Sequence, residues 1–144
     1  MKIRDILTRK GTSVVTITPD LTVHAAVQVL VDHNIGAVVI LQESAIAGIL
    51  SERDILRLSA EDPAHLSGRT VKDVMTKEVV TGGPDDLISH VMELMTERRI
   101  RHLPIIENGE LAGILSIGDV VNALRREVEG ENRYMREYIQ GEVR

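Results

Sequence analysis

Two four-residue phrases, Ser51-x-x-Asp54 and Ser116-x-x-Asp119, put a hydroxyl and a carboxylate at the start of a segment with helical spacing. A Ser followed three residues later by an acid is the box that satisfies free backbone N–H groups at a helix N-terminus, a need that exists whether or not anything binds. The same position can also hold a ligand. The first turn offers unpaired N–H groups and partial positive charge to a phosphate, and a carboxylate there can accept both hydroxyls of a ribose. Cap and ligand contact both stay open for Ser51, Asp54, Ser116 and Asp119. Arg101-His102 adds a cationic pair: Arg keeps its charge and forks onto phosphate oxygens, and His changes charge near neutral pH. Their plain alternative is two solvated strand residues. Arg53, beside Glu52, carries the same two readings. Glu97-Arg98-Arg99 reads as an exposed helix end, where Arg faces the C-terminal carbonyls.

Little else in the chain suggests chemistry. No Walker phosphate loop, Gly-x-Gly-x-x-Gly, His-Glu-x-x-His or Gly-x-Ser-x-Gly phrase occurs, so a binding role is expected rather than catalysis. His24, His33, His65, His90 and His102 lack metal-ligand spacing, and without cysteine there is no thiolate set, so no metal is expected. The net charge of −5 argues against a nucleic-acid partner. The aromatic content of 1% argues against base stacking and makes aliphatic side chains the only walls for a flat ring. The longest apolar run, Ile35–Leu41, is too short to cross a bilayer, and the opening Met1-Lys2-Ile3-Arg4-Asp5 lacks a leader-like apolar stretch. A cytosolic location is the expectation.

The elements that would position these residues occur twice. Val14-Val15-Thr16-Ile17-Thr18-Pro19-Asp20 matches Val79-Val80-Thr81-Gly82-Gly83-Pro84-Asp85 at an offset of 65 residues, and the same offset carries Ala47–Asp54 onto Ala112–Asp119. A lead-in, Arg4-Asp5-Ile6-Leu7-Thr8, matches Lys72-Asp73-Val74-Met75-Thr76 at an offset of 68, which leaves the first lead-in three residues further from its strand. Val14–Thr16 and Val79–Thr81 read as short strands ended by Pro-Asp turns. Val23, Ala26, Val27 and Leu30, and likewise Ile88, Val91, Met92 and Met95, form one apolar stripe of a helix. Ala37–Leu41 with Ile46–Leu50, and Leu103–Ile106 with Leu111–Leu115, read as strand pairs, the second joined by Asn108-Gly109, a hairpin signal. A further helix opens at Ser51 and at Ser116. The order in each repeat is β-α-β-β-α. Neither unit alone could bury more than a marginal core, which calls for the two to pack together. The boundaries are a first repeat with its lead-in over 1–60, a polar linker over 61–70, a second repeat over 71–125 and a helical tail over 126–144. In the tail Leu124, Val128, Met135 and Ile139 make a weak apolar stripe that Gly130 interrupts.

The ordered set of lead-in, Val-x-Thr strand with Pro-Asp, Ile100-Arg101-His102-Leu103-Pro104-Ile105-Ile106, and the doubled Gly-h-h-Ser-x-x-Asp (h, apolar) resembles the CBS (cystathionine β-synthase) domain family over residues 3–125. The resemblance implies an α+β fold of tandem repeats packed sheet to sheet with pseudo-twofold symmetry. It also implies a sensor that binds AMP, ADP or ATP between the repeats, with NAD(H) as an alternative. The family's habit of pairing through helices implies a homodimer, and the lack of an effector domain implies a partner protein. Carried over residue by residue, Asp119 and Asp54 would hold ribose, Ser116 and Ser51 ribose or phosphate, and Arg101, His102 and Arg53 the phosphates. Thr81 and Thr16 would lie at the adenine edge, with Val79, Val14, Ile100 and Ile35 as walls. The expectation is one mononucleotide site centred on Asp119, Arg101 and His102, and a second, poorer one at Asp54. A ligand-free scaffold is the remaining alternative.

Overall fold

The 65-residue offset becomes two matching halves in space. The computed structural model describes residues 1–11 and 13–141, and at 65–67 the backbone alone. The first half runs α1 (Ile3–Lys10), β1 (Thr16–Ile17), α2 (Val23–His33), β2 (Ala37–Gln42), β3 (Ala45–Ser51) and α3 (Glu52–Glu61). A 3-10 segment, Pro63–Gly68, occupies most of the expected linker. The second half runs α4 (Val71–Val74), α5 (Ile88–Arg98), β4 (His102–Glu107), β5 (Glu110–Ser116) and α6 (Ile117–Ile139). Strands β2 and β3 pair antiparallel, as do β4 and β5, in the same register with the same bulge. The hairpin turns match too: Asn108 and Gly109 take positive φ, and so do Glu43 and Ser44 at the equivalent positions.

The expected first strands are reduced. In the first half only Thr16–Ile17 pairs, in parallel with β2. In the second, Val79–Thr81 forms no strand, and a single bridge from Gly82 to Ile105 stands in its place. The Gly82-Gly83 pair, where the first half has Ile17-Thr18, removes the β-branched side chains that would hold such a strand. The tail differs as well: α6 passes through Gly130 without a break. The cost of a helical Gly, about 1 kcal/mol relative to Ala, is too small to end a helix of this length. Residues 142–144, which the sequence reading placed in the tail, lie outside the described residues.

The halves exchange their lead-ins. Ile3, Ile6 and Leu7 of α1 sit in the second half's core among Ile88, Met95 and Leu103, while Val71 of α4 sits in the first half's core with Ala26, Leu30 and Val38. Burying each such side chain contributes about 1.5–3 kcal/mol. The backbone repeats the exchange. Val23 N donates to Arg69 O at 2.9 Å and Ile88 N to Met1 O at 3.0 Å, so each lead-in's preceding carbonyl accepts from the first N–H of the other half's helix. Two equivalent glycines admit the crossing chains. A Cβ at Gly48 would lie 2.6 Å from Met75 Sδ, and one at Gly113 would lie 2.7 Å from Leu7 Cδ2.

Candidate functional site

Both Ser-x-x-Asp phrases cap helices. Asp54 N donates to Ser51 Oγ at 3.4 Å and Ser51 N to Asp54 Oδ2 at 2.9 Å; Asp119 N donates to Ser116 Oγ at 3.2 Å and Ser116 N to Asp119 Oδ2 at 2.9 Å. In each case one oxygen serves the cap, and the surroundings of the carboxylate then diverge. Helix α4 is a single turn that ends at Val74, so Thr76 leaves in extended backbone and pairs with Ile49 in both directions, at 3.0 and 2.9 Å. The Thr76 hydroxyl then lies 3.5 Å from Asp54 Oδ1. Helix α1 is twice as long, because its lead-in has three more residues before the strand. It keeps turning where α4 stops, and it brings Lys10 round to donate to Ile114 O at 2.7 Å and Asp119 Oδ2 at 2.6 Å. Burial opposes ionisation of Asp119, but Lys10 and the Ser116 N–H outweigh it and hold the carboxyl below its usual range.

A cavity of about 670 Å³ opens on the Asp54 side. The first half supplies Gly36, Ile49, Ser51, Arg53, Asp54 and Arg57; the second supplies Thr76, Arg99, Ile100, Arg101 and His102, with Glu52 and Leu56 completing the wall. Four Arg side chains face two carboxylates there, in a chain whose overall charge is negative. The cations are set by the fold. Arg53 and Arg57 are one turn apart on α3 and so share a face. Arg99 caps α5 in left-handed backbone at φ 54°, which turns the chain back so that Arg99 and Arg101 reach the same cavity. The equivalent Asn34 caps α2 in the same way at φ 51°, so the left-handed turn belongs to the repeat and closes both helices. His102 is half-buried where the halves meet: a Cβ on Gly36 would be 3.1 Å from its Nε2. Burial lowers its pKa below the ordinary value; Glu52 pulls it up, and Arg101 and Lys10 push it further down.

The sequence grouping is thus rearranged. Arg101, His102 and Ile100 share the cavity with Asp54, the expected centre of the poorer site, and with Ser51 and Arg53. Asp119 is engaged by Lys10 instead, and neither it nor Ser116 lines this cavity. Val79 and Thr81 line a separate hollow of about 320 Å³ with Lys77 and Leu111. Val14, Thr16 and Ile35 line neither cavity, and Ile35 packs against the first half's core. The sequence gives no site role to Arg57, Thr76 or Lys10, and its reading of Arg99 as an exposed helix end is corrected by the cavity that Arg99 lines. Arg57 was detectable from its one-turn spacing to Arg53, and Lys10 from the changed offset of the lead-in. Among the described residues, no group of three or more His, Asp and Glu side chains could hold a metal ion, and no helix is long and apolar enough to cross a membrane.

The model of the CBS domain matches residues 3–61 and again 71–126. The chain belongs to the CBS domain family. This CBS pair is 38% identical over 148 residues to the mitochondrial CBS domain-containing protein CBSX3 of Arabidopsis thaliana, covering 96% of this chain and 72% of the relative. The crystal structure of the CBS-domain protein ATU1752 from Agrobacterium tumefaciens superposes with a TM-score of 0.83 at 43% identity, over 85% of this chain and 98% of that one. The CBS pair of protein MJ0100, solved in complex with 5-methylthioadenosine and S-adenosyl-L-methionine, has the same fold, with a TM-score of 0.78 at 23% identity over 88% of this chain and 98% of that one.

Proposed function

We propose that this CBS pair is a regulatory sensor that holds one adenine nucleotide per chain in the cavity between its repeats. The observation that carries the reading is the convergence on one cavity of a helix N-terminus with a half-buried carboxylate, four Arg side chains and His102. Asp54 accepts the ribose hydroxyls in place of the Thr76 hydroxyl, a neutral partner that gives way easily. Arg99, Arg101 and Arg53 bind phosphate, with Arg57 in the same lining for a longer chain of phosphates. Ile49, Leu56 and Ile100 supply aliphatic faces for the base. Adenosine is also the common part of the two ligands named for MJ0100. Asp119 has an ammonium group already in place, and the strand of the other repeat offers Gly36 and Ala37 at the positions where Arg101 and His102 serve Asp54. One occupied site follows.

Because the cavity draws side chains from both halves, a bound nucleotide favours one arrangement of them. That difference in affinity between arrangements is the only way a ligand can bias a partner or an assembly. The test is thermal shift with AMP, ADP, ATP, NAD, NADH and adenosine. A ligand at 100 times its Kd adds about 2.7 kcal/mol. A rise with nucleotides that exceeds the rise with adenosine supports the reading. A rise with NADH alone replaces it with a dinucleotide sensor, and no rise with any of them leaves a scaffold.

A further inference from the structure

His102 stands between the two acids. Across the halves its ring abuts Gly36: a Cβ there would lie 3.1 Å from His102 Nε2 and 3.4 Å from Glu52 Cδ, so the ring and that carboxylate flank one point. Within its own hairpin His102 is the register partner of Ser116, whose N–H donates to Asp119 Oδ2 at 2.9 Å. Lys10, in the last turn of α1, donates to the same oxygen at 2.6 Å. His102 lines the cavity of about 670 Å³, and Lys10 does not. The first half has no such chain of charges: Ala37 stands opposite Ser51, and Asp54 meets the neutral Thr76 hydroxyl.

The surroundings of the ring pull its charge in opposite directions. Burial favours the neutral form; Glu52 on α3 and Asp119 on α6 favour the imidazolium, and Arg101 beside it and Lys10 on α1 oppose it. A phosphate in the cavity calls for the charge state that Lys10 disfavours, because only the imidazolium is a cation with both nitrogens as donors. Where a fraction of the molecules is in the binding-competent state, the apparent affinity is reduced by that fraction. We propose that Lys10, acting through Asp119 and His102, limits how tightly the cavity holds a phosphate. The inference rests on the nucleotide reading and adds to it a residue that touches no ligand. Its consequence runs against simple charge counting: removing this cation strengthens the binding of a polyanion.

The test compares wild type, Lys10→Gln and Lys10→Arg, each with and without His102→Gln, by calorimetry with ATP and with adenosine. Near pH 7, Lys10→Gln is expected to tighten ATP by about threefold or more, and Lys10→Arg, which keeps the charge, to leave it unchanged. Adenosine, which has no phosphate, is expected to stay within about twofold in both Lys10 variants, which shows that the cavity still forms. The gain is expected to fade towards about pH 5, where the ring is charged in every protein that carries it, and to be absent in the His102→Gln background. Proton NMR of the ligand-free proteins, with His102→Gln to assign the ring signal, is expected to show His102 titrating at higher pH in Lys10→Gln than in wild type or Lys10→Arg. An ATP affinity that falls or stays the same in Lys10→Gln, a gain that survives His102→Gln, or an unmoved His102 titration would each overturn the inference and leave the nucleotide reading standing. A wild type that does not bind ATP would overturn both.

Discussion

Replacing Arg101 with Gln removes one positive charge from the cavity while leaving the fold intact. The side chain is exposed and lies just before β4, and the residue meets α6 through its carbonyl, which accepts from Ile117 N at 2.8 Å. Stability is therefore expected to change by less than about 0.5 kcal/mol. The phosphate contact is another matter. A hydrogen bond to a charged group is worth about 1.5–3 kcal/mol, which converts to a loss of roughly 10- to 150-fold in Kd. Adenosine uses the ribose and base contacts alone, so its affinity is expected to stay within about twofold. Calorimetric titration of ATP and of adenosine into wild type, Arg101→Gln and the control Arg126→Gln, which removes an exposed charge outside the cavity, separates the contributions. Equal losses for ATP and adenosine, or an ATP affinity unchanged by Arg101→Gln, would refute the assignment of Arg101 to phosphate.

Further outcomes follow from particular residues. His102 has its pKa lowered in the folded chain, so the unfolded chain binds more protons; its effect is to leave stability full above the ordinary His value of about 6.5 and to reduce it as pH falls below that value. A phosphate beside His102 favours the imidazolium, so ATP affinity relative to adenosine is expected to rise between about pH 8 and pH 6, and His102→Gln to flatten that slope in calorimetry. Gly48→Ala is expected to cost about 1–3 kcal/mol in urea unfolding, because the added Cβ meets the Thr76 carbonyl at 2.8 Å. Gly113→Ala, whose close contacts are all with the movable Leu7 side chain, is expected to cost less. Glu43→Asn with Ser44→Gly gives the first hairpin the turn the second already has, relieving left-handed strain of roughly 1–2 kcal/mol per residue, and is expected to raise Tm by several degrees.

Local pattern was enough to locate most of the elements. The strand pairs, the α2 and α5 stripes, the Asn108-Gly109 turn and both Ser-x-x-Asp caps follow from spacing and turn chemistry over a few residues. What spacing could not give was the partner of each half. Nothing near Ile3, Ile6 and Leu7 says that they bury in the far half, since an apolar stripe fits either core. For the same reason the repeat could not say whether Arg101 faces Asp119, in its own half, or Asp54, in the other. The clue was the lead-in offset of 68 against 65. Those three residues lengthen α1, carry Lys10 to Asp119 and make the two acids unlike. Arg99 was read as a solvated helix end because its left-handed cap, which turns the chain towards the cavity, leaves no mark in an Arg side chain. Gly130 misled in the other direction, since its small propensity cost is outweighed along a helix anchored by Val120 and Ala123.

A crystal structure of the protein grown with ATP decides whether a nucleotide sits between Asp54 of one repeat and Arg101 of the other. It is expected to show the ribose hydroxyls on the Asp54 carboxylate and the phosphates among Arg53, Arg99 and Arg101, with the Lys10–Asp119 pair undisturbed. A nucleotide seated on Asp119 with Lys10 displaced, or lodged beside Val79 and Thr81 with the Asp54 cavity empty, would contradict that placement.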